Sequence, residues 1–257
     1  HLNSGTSIPA SKIYFDAGIP QVSPSATAIA YTAQGFKTSF RVMTNDRQQG
    51  KVLGEYAVNK LGAKRIAIID DRTAYGQGLA DEMAKAARDA GGEIVAREFT
   101  TDRSTDFLAI LTSIKSKKPD VVFYGGMDAQ GAPMAVQLRS LGIQAKFLGG
   151  DGVQTSEFLK LAGDDAGVLR RPGDAGEPEQ GPVVVIVMVV VATVGADRGG
   201  VHHGVGADEG GRAGSSRQTA AHEASARHVL HDVVERLVGR RVGDRVVVHA
   251  HQDTSVC

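Results

Sequence analysis

Apolar positions along the chain come in short runs, each broken by a polar turn and followed by a segment with helical spacing. The clearest case is Arg65 to Gly76, RIAIIDDRTAYG, where an apolar strand at Ile66 to Ile69 runs into Asp70-Asp71, a turn and Tyr75. A helix is expected over Tyr75 to Ala90, with Leu79, Met83, Ala86 and Ala87 roughly in register and Gly91-Gly92 as its C-terminal stop. The same unit recurs downstream. Strands are expected at Glu93 to Phe99, Val121 to Tyr124 and Lys146 to Leu148. Helices are expected at Phe107 to Lys115 behind an Asp106 cap, at Ala129 to Leu141, and from Thr155 to Leu161. Upstream, Gln48 to Leu61 reads as a helix behind the cap cluster Thr44-Asn45-Asp46. The chain opens on a polar loop, His1 to Thr6, followed by a helix at Ser7 to Ala17 and a strand at Ile19 to Val22. A tight hydroxyl-rich turn at Ser23 to Thr27 and a strand within Phe36 to Val42 come next.

Short apolar strands without strict alternation predict an α/β fold with a parallel sheet covered on both faces. In right-handed βαβ units the carboxyl ends of the strands lie along one edge. Asp70-Asp71, Gly125-Gly126 and Gly149-Gly150-Asp151 would therefore line one cleft, although they are far apart in sequence.

Composition splits the chain in two. All five Tyr and all eight Phe precede residue 160, and the last Lys is Lys160, whereas seven of the eight His follow Arg170. The later part is dominated by Val, Gly, Ala, Arg, Asp and His, and the run Val183 to Val191 is its one strand candidate. Gly, Ala, Arg and Val have GC-rich codons, and loss of Lys, Asn, Phe and Tyr is what out-of-frame translation of a GC-rich gene produces. A frameshift near codon 168 is the expectation, against a genuine low-complexity extension. An alternative frame encoding Lys- and aromatic-containing βα units should then continue past that codon in the gene.

The candidate chemistry is that of binding. Net charge is zero with His neutral, no basic stripe is interleaved with aromatics, and the single Cys is the last residue. These features argue against a nucleic-acid surface and a Cys-rich metal site. No basic and apolar leader opens the chain, and the Val183 to Ala192 run falls short of the about 20 residues that span a bilayer. His202-His203 with His249 and His251 is a weak metal candidate without acids in a ligand spacing. Asp70-Asp71 would suit Mg²⁺ or phosphotransfer only with a partner acid and a lysine that are not evident. No nucleophile elbow, zinc helix, P-loop or dinucleotide fingerprint is present, so no cofactor or metal is expected. By contrast Ser4, the Ser25-Ala26-Thr27 turn, Tyr75 and Asp151 offer hydroxyls and N–H groups for a carboxylate, together with an acid for an ammonium. Tyr75 and Met127 could wall an aliphatic side chain.

The stretches HLNSGTSIPAS, GIPQVSPSATA, RIAIIDDRTAYGQGLA, PDVVFYGGMD and FLGGDGV resemble the periplasmic branched-chain amino acid (Leu/Ile/Val) binding proteins of ABC transporters, over residues 1 to about 168. The resemblance implies two α/β lobes hinged around a ligand, with no reaction catalysed. It places Ser4 at the ligand carboxylate and Thr27 at the same ligand through hydroxyl and backbone. It also puts the Ser25 carbonyl toward the ammonium, and Tyr75 as the second-lobe clamp. Asp151 stands where leucine-binding members carry a glutamate, one methylene longer, and Met127 replaces an aromatic. The implied map is 1 to 45 as part of lobe one, 46 to 168 as most of lobe two, and 169 to 257 as an aberrant tail. Poor folding is expected outside 46 to 168, and uniform strong hydrogen-exchange protection through 1 to 45 and 169 to 257 would contradict it. The implied setting is periplasmic, with a membrane permease as partner of a monomeric binding protein. A ligand-sensing domain of the same fold for an amide- or urea-type solute is the alternative.

Overall fold

The computed structural model describes residues 1–163 and 184–186, which fall within one compact unit. Two parallel sheets organise these residues. The smaller pairs β1 (Gln21–Ser23) with β2 (Ser39–Arg41), preceded by α1 (Ser4–Asp16) and linked through the one-turn α2 (Ala30–Ala33). The Tyr31 hydroxyl lies 3.2 Å from the carbonyl oxygens of both Gln21 and Phe40, so one side chain ties the two strands together. Burial pushes that hydroxyl up to about 12, which keeps it a neutral donor.

The larger sheet has strand order β4-β3-β5-β6-β7 and is parallel throughout. Its strands are β3 (Arg65–Asp70), β4 (Glu93–Phe99), β5 (Val121–Gly125), β6 (Lys146–Gly149) and β7 (Val184–Ile186). The helices are α3 (Asp46–Asn59), α4 (Ala74–Asp89), α5 (Leu108–Ser116), α6 (Asp128–Ser140) and α7 (Ser156–Ala162). Two separate cores explain why the central strands read as unbroken apolar runs. Ile66, Ile68, Val121, Phe123 and Leu148 pack on α3 and α4. The alternate residues Ala67, Ile69, Val122, Tyr124 and Phe147 pack on α5, α6 and α7. Both faces of the central strands β3, β5 and β6 are thus buried, as the sequence predicts for a parallel sheet.

Two glycines let α3 and α4 approach closely. A Cβ on Gly50 would lie 2.7 Å from the Met83 backbone nitrogen, and one on Gly54 would lie 2.5 Å from that of Ala87.

Most expected elements are present with shifted ends. The main differences lie at the start. Residues 4–6 are helical, whereas the sequence suggested a loop through Thr6 and a helix beginning at Ser7. The Ser4-Gly5-Thr6 segment lacks an apolar periodicity that would announce a helix, but Asn3 takes the extended conformation of a helix N-cap. The first strand begins at Gln21, and the second occupies only Ser39–Arg41 of the expected Phe36 to Val42. Asp106 accepts from the Leu108 N–H at 3.0 Å, although the cap position itself falls on Phe107. The valine run contributes Val184–Ile186 as β7, and its remaining residues lie outside the described ones.

Candidate functional site

Parallel register brings the predicted strand ends together. Asp70 lies opposite Gly125, and Tyr124 lies opposite Gly149, so the turns at 70–73, 125–127 and 149–153 share one edge.

On the β1 side, a network of backbone bonds shapes the hydroxyl turn. The Ser23 Oγ accepts from the Ala26 N–H at 2.9 Å, while Ser4 Oγ accepts from the Ala28 N–H at 3.1 Å. Ser25 donates its hydroxyl to the Leu2 carbonyl. Arg41 Nη1 donates to the carbonyls of Ala26 and Ala28 at 3.2 and 2.9 Å, and Nη2 donates to Thr32 Oγ1 at 3.0 Å. Ala26 and Thr27 are fully buried, and the Thr27 hydroxyl has no hydrogen-bond partner among the described residues.

Helix α3 carries the neighbouring part of the site. Asn45 caps it by accepting from the Gln48 N–H at 3.2 Å, and the Asp46 N–H donates to the Thr27 carbonyl at 2.9 Å. Asp46, Gln49, Gly50 and Leu53 lie on its buried face, so two polar residues occupy positions where helical spacing would place apolar ones. Gln49 forms a reciprocal pair with Asp151. Its Nε2 donates to Asp151 Oδ1 at 2.9 Å, and its Oε1 accepts from the Asp151 N–H at 2.9 Å. Neither Asp46 nor Gln49 was singled out from the sequence as a site residue. The polar pair at i, i+3 on an apolar helix face was the signal.

Tyr75, in the first turn of α4, completes the cluster. Its hydroxyl donates to Asp151 Oδ1 at 2.7 Å and accepts from the Gly152 N–H at 2.9 Å. Burial, reinforced by the Asp151 carboxylate, raises the Tyr75 pKa well above the phenol range, so it acts as a neutral donor. Met127 borders the same place: a Cβ on Gly152 would lie 2.8 Å from Tyr75 Cε1 and 3.0 Å from Met127 Sδ. It would also lie 2.6 Å from the Gly126 carbonyl oxygen, so the 151–153 turn fits here only with a glycine.

Asp70 and Asp71 have a different role from the metal or phosphotransfer chemistry considered from sequence. Asp70 pairs with Arg97 and accepts from the Arg72 N–H at 2.9 Å. Asp71 Oδ1 accepts from the Thr73 N–H and hydroxyl at 2.9 and 2.6 Å, and Thr73 in turn caps α4. Both acids hold the strand-to-helix turn, in which Arg72 adopts a φ of 61°. Burial raises the Asp71 pKa, and the Thr73 hydrogen bonds oppose that rise. Among the described residues no group of three or more His, Cys, Asp or Glu could hold a metal ion. His202, His203, His249 and His251 lie outside them.

Burial pushes the Asp46 carboxyl from 3.8 up to about 7. The Thr27 hydroxyl lies close enough to temper the rise without reaching hydrogen-bond geometry, and Asp151 adds to it. The folded state therefore binds a proton at Asp46 that the unfolded chain has released between these two values. Asp46 contributes stability that is fully present below pH 3.8 and is lost as pH rises through about 7. Urea titrations across that range should show Asp46→Asn removing this component, so that the variant gains relative to the parent as pH rises. A difference between the two that is flat with pH would refute the assignment.

Comparison with known proteins places these residues in context. The family model described as periplasmic binding protein matches residues 2–170. A Leu/Ile/Val-binding protein homolog of Brucella abortus is 39% identical over 174 residues, covering 67% of this chain and 47% of that protein. An amino acid binding protein of Pseudomonas aeruginosa is 39% identical over 163 residues, covering 63% and 44%. Among solved structures, a leucine binding protein from Thermotoga maritima superposes with a TM-score of 0.63 at 29% identity, covering 65% of this chain and 47% of that one. The branched-chain amino acid transporter substrate binding protein of Streptococcus pneumoniae, in complex with isoleucine, gives 0.57 at 34% identity, covering 63% and 46%. The chain thus spans about half the length of these relatives. With two parallel α/β sheets, one edge of clustered strand ends and a family match across residues 2–170, the chain belongs to the periplasmic binding protein family.

Proposed function

We propose that this chain carries part of the ligand site of a solute-binding component of an amino-acid ABC importer, acting in the periplasm and delivering its ligand to a membrane permease. The ligand is a small amino acid with a branched aliphatic side chain. Residues 1 to 45 belong to one lobe, and residues 46 to 168 make most of the other. Ser4 and Thr27 take the carboxylate side, with Ala26 in the same turn, Tyr75 and Met127 border the aliphatic group, and the Ser25 carbonyl and Asp151 face the ammonium.

The observation that carries this reading is the clamp on Asp151. Tyr75 and Gln49 both donate to Oδ1, which holds the carboxylate in one orientation and leaves Oδ2 for a cation. Charge-assisted bonds of that kind are worth about 1.5–3 kcal/mol each, enough to support affinity without a catalytic group. The names of the Brucella and Thermotoga relatives support the choice of ligand class. Binding proceeds without a catalysed step, a reading supported by the match to the periplasmic binding protein family.

Calorimetry against leucine, isoleucine, valine, acetamide and urea tests the reading. Saturable binding of the branched-chain amino acids is the expected result. Binding of the amides alone would support the sensor alternative, and no binding of any amino acid would overturn the assignment.

A further inference from the structure

The ligand site as assigned leaves one buried acid without a task. Asp46 is only 1% exposed, yet among the described residues neither of its carboxylate oxygens has a hydrogen-bond partner, and the fully buried Thr27 hydroxyl beside it has none either. The bond from the Asp46 N–H to the Thr27 carbonyl, at 2.9 Å, fixes the carboxyl against the hydroxyl turn. The charged and titratable groups facing it are Arg41 from β2, Glu82 and Tyr75 from α4, and Asp151 from the turn after β6. Arg41 is already bonded to the Ala26 and Ala28 carbonyls and to Thr32.

A buried carboxyl in this position is costly when ionised and unpaired, so near neutral pH a large share of it keeps its proton until a cation arrives. An ammonium presents three N–H donors and a positive charge. Among the described residues the Asp46 carboxylate and the Thr27 hydroxyl have no hydrogen-bond partner, and the Tyr75 and Gln49 side chains both donate to Oδ1 of Asp151 rather than Oδ2. We propose that Asp46 is a second acidic contact for the ligand ammonium, and that ligand binding releases the Asp46 proton to solvent. This rests on the amino-acid reading above and deepens it. The protonated acid becomes a carboxylate, the ligand nitrogen stays an ammonium, and the released proton passes to buffer. A neutral amide cannot drive that exchange, so two acids together select a charged amine over an isosteric neutral group.

The test is calorimetric titration of the full 257-residue chain with L-leucine, in buffers of different ionisation enthalpy, between about pH 6 and about pH 8. With a carboxyl pushed up to about 7, binding at neutral pH should release about half a proton. Affinity should rise up to about tenfold per pH unit below neutrality and level off above it. The hydroxy acid analogue of leucine, which lacks the ammonium, should bind weakly and release none. Asp46→Asn should bind leucine more weakly, with no proton release. The analogue keeps the test valid even if that variant fails to fold. Leucine binding with no dependence on buffer or pH would overturn the second acidic contact while sparing the leucine assignment. Failure of every amino acid to bind at any pH would overturn both.

Discussion

Asp151→Ala should weaken leucine binding by about 10–10²-fold and also destabilise the empty protein, because one change removes three interactions. The acid that faces the ammonium is lost, at about 1.5–3 kcal/mol. The Tyr75 hydroxyl and the Gln49 amide also lose the oxygen to which both donate, at 2.7 and 2.9 Å. An orphaned buried donor costs about 1–3 kcal/mol, so some of the damage should appear as lost stability in the empty protein. Asp151→Asn separates the two effects. Its amide oxygen can still accept from Tyr75 and Gln49, so urea stability should be nearly kept while affinity for leucine falls. Equal losses of stability in both variants would show that the acid serves the fold rather than the ligand.

Phe123→Ala should cost about 3–5 kcal/mol, a large part of the about 5–15 kcal/mol that separates folded from unfolded domains. Phe123 is fully buried in the middle of β5, the strand flanked by β3 and β6. Its ring packs on the face covered by α3 and α4, where Gly50 and Gly54 already draw the helices close. A void there cannot close without moving backbone. A shift in the midpoint of urea unfolding is the measurement, and a shift of less than about 1 kcal/mol would show that the helices can collapse into the gap.

The central strands β3 and β5 were legible in the sequence because burial on both faces makes each a single apolar block. Ile66 to Ile69 and Val121 to Tyr124 could not be polar anywhere, and the turns after them could not be apolar. Helix starts were less legible. Residues 4–6 carry no side chain that commits them to helix, so α1 opens three residues before the expected Ser7. The one-turn α2 is too short to show any period. Within the site, the sequence pointed to residues at strand ends. Those are the positions a parallel sheet gathers, and Tyr75, Met127 and Asp151 do meet there. Asp46 and Gln49 escaped notice because they sit on a helix face that otherwise reads as core. Polar residues on such a face become informative only when their partners, Thr27 and Asp151, are known to be near.

The Gln49–Asp151 pair closes a span of 102 residues, and Tyr75–Asp151 closes one of 76. Neither can form until β3, β5 and β6 have been laid side by side, since only the finished sheet brings α3 to the turn after β6. Contacts of such long separation carry a loop-closure cost that local helices and neighbouring strands avoid. The recognition centre should therefore be among the last features to assemble during refolding, well after the βα units that frame it. Tyr75 thus becomes a natural reporter of the final step, and a probe there should follow arrival at binding competence rather than collapse of the chain.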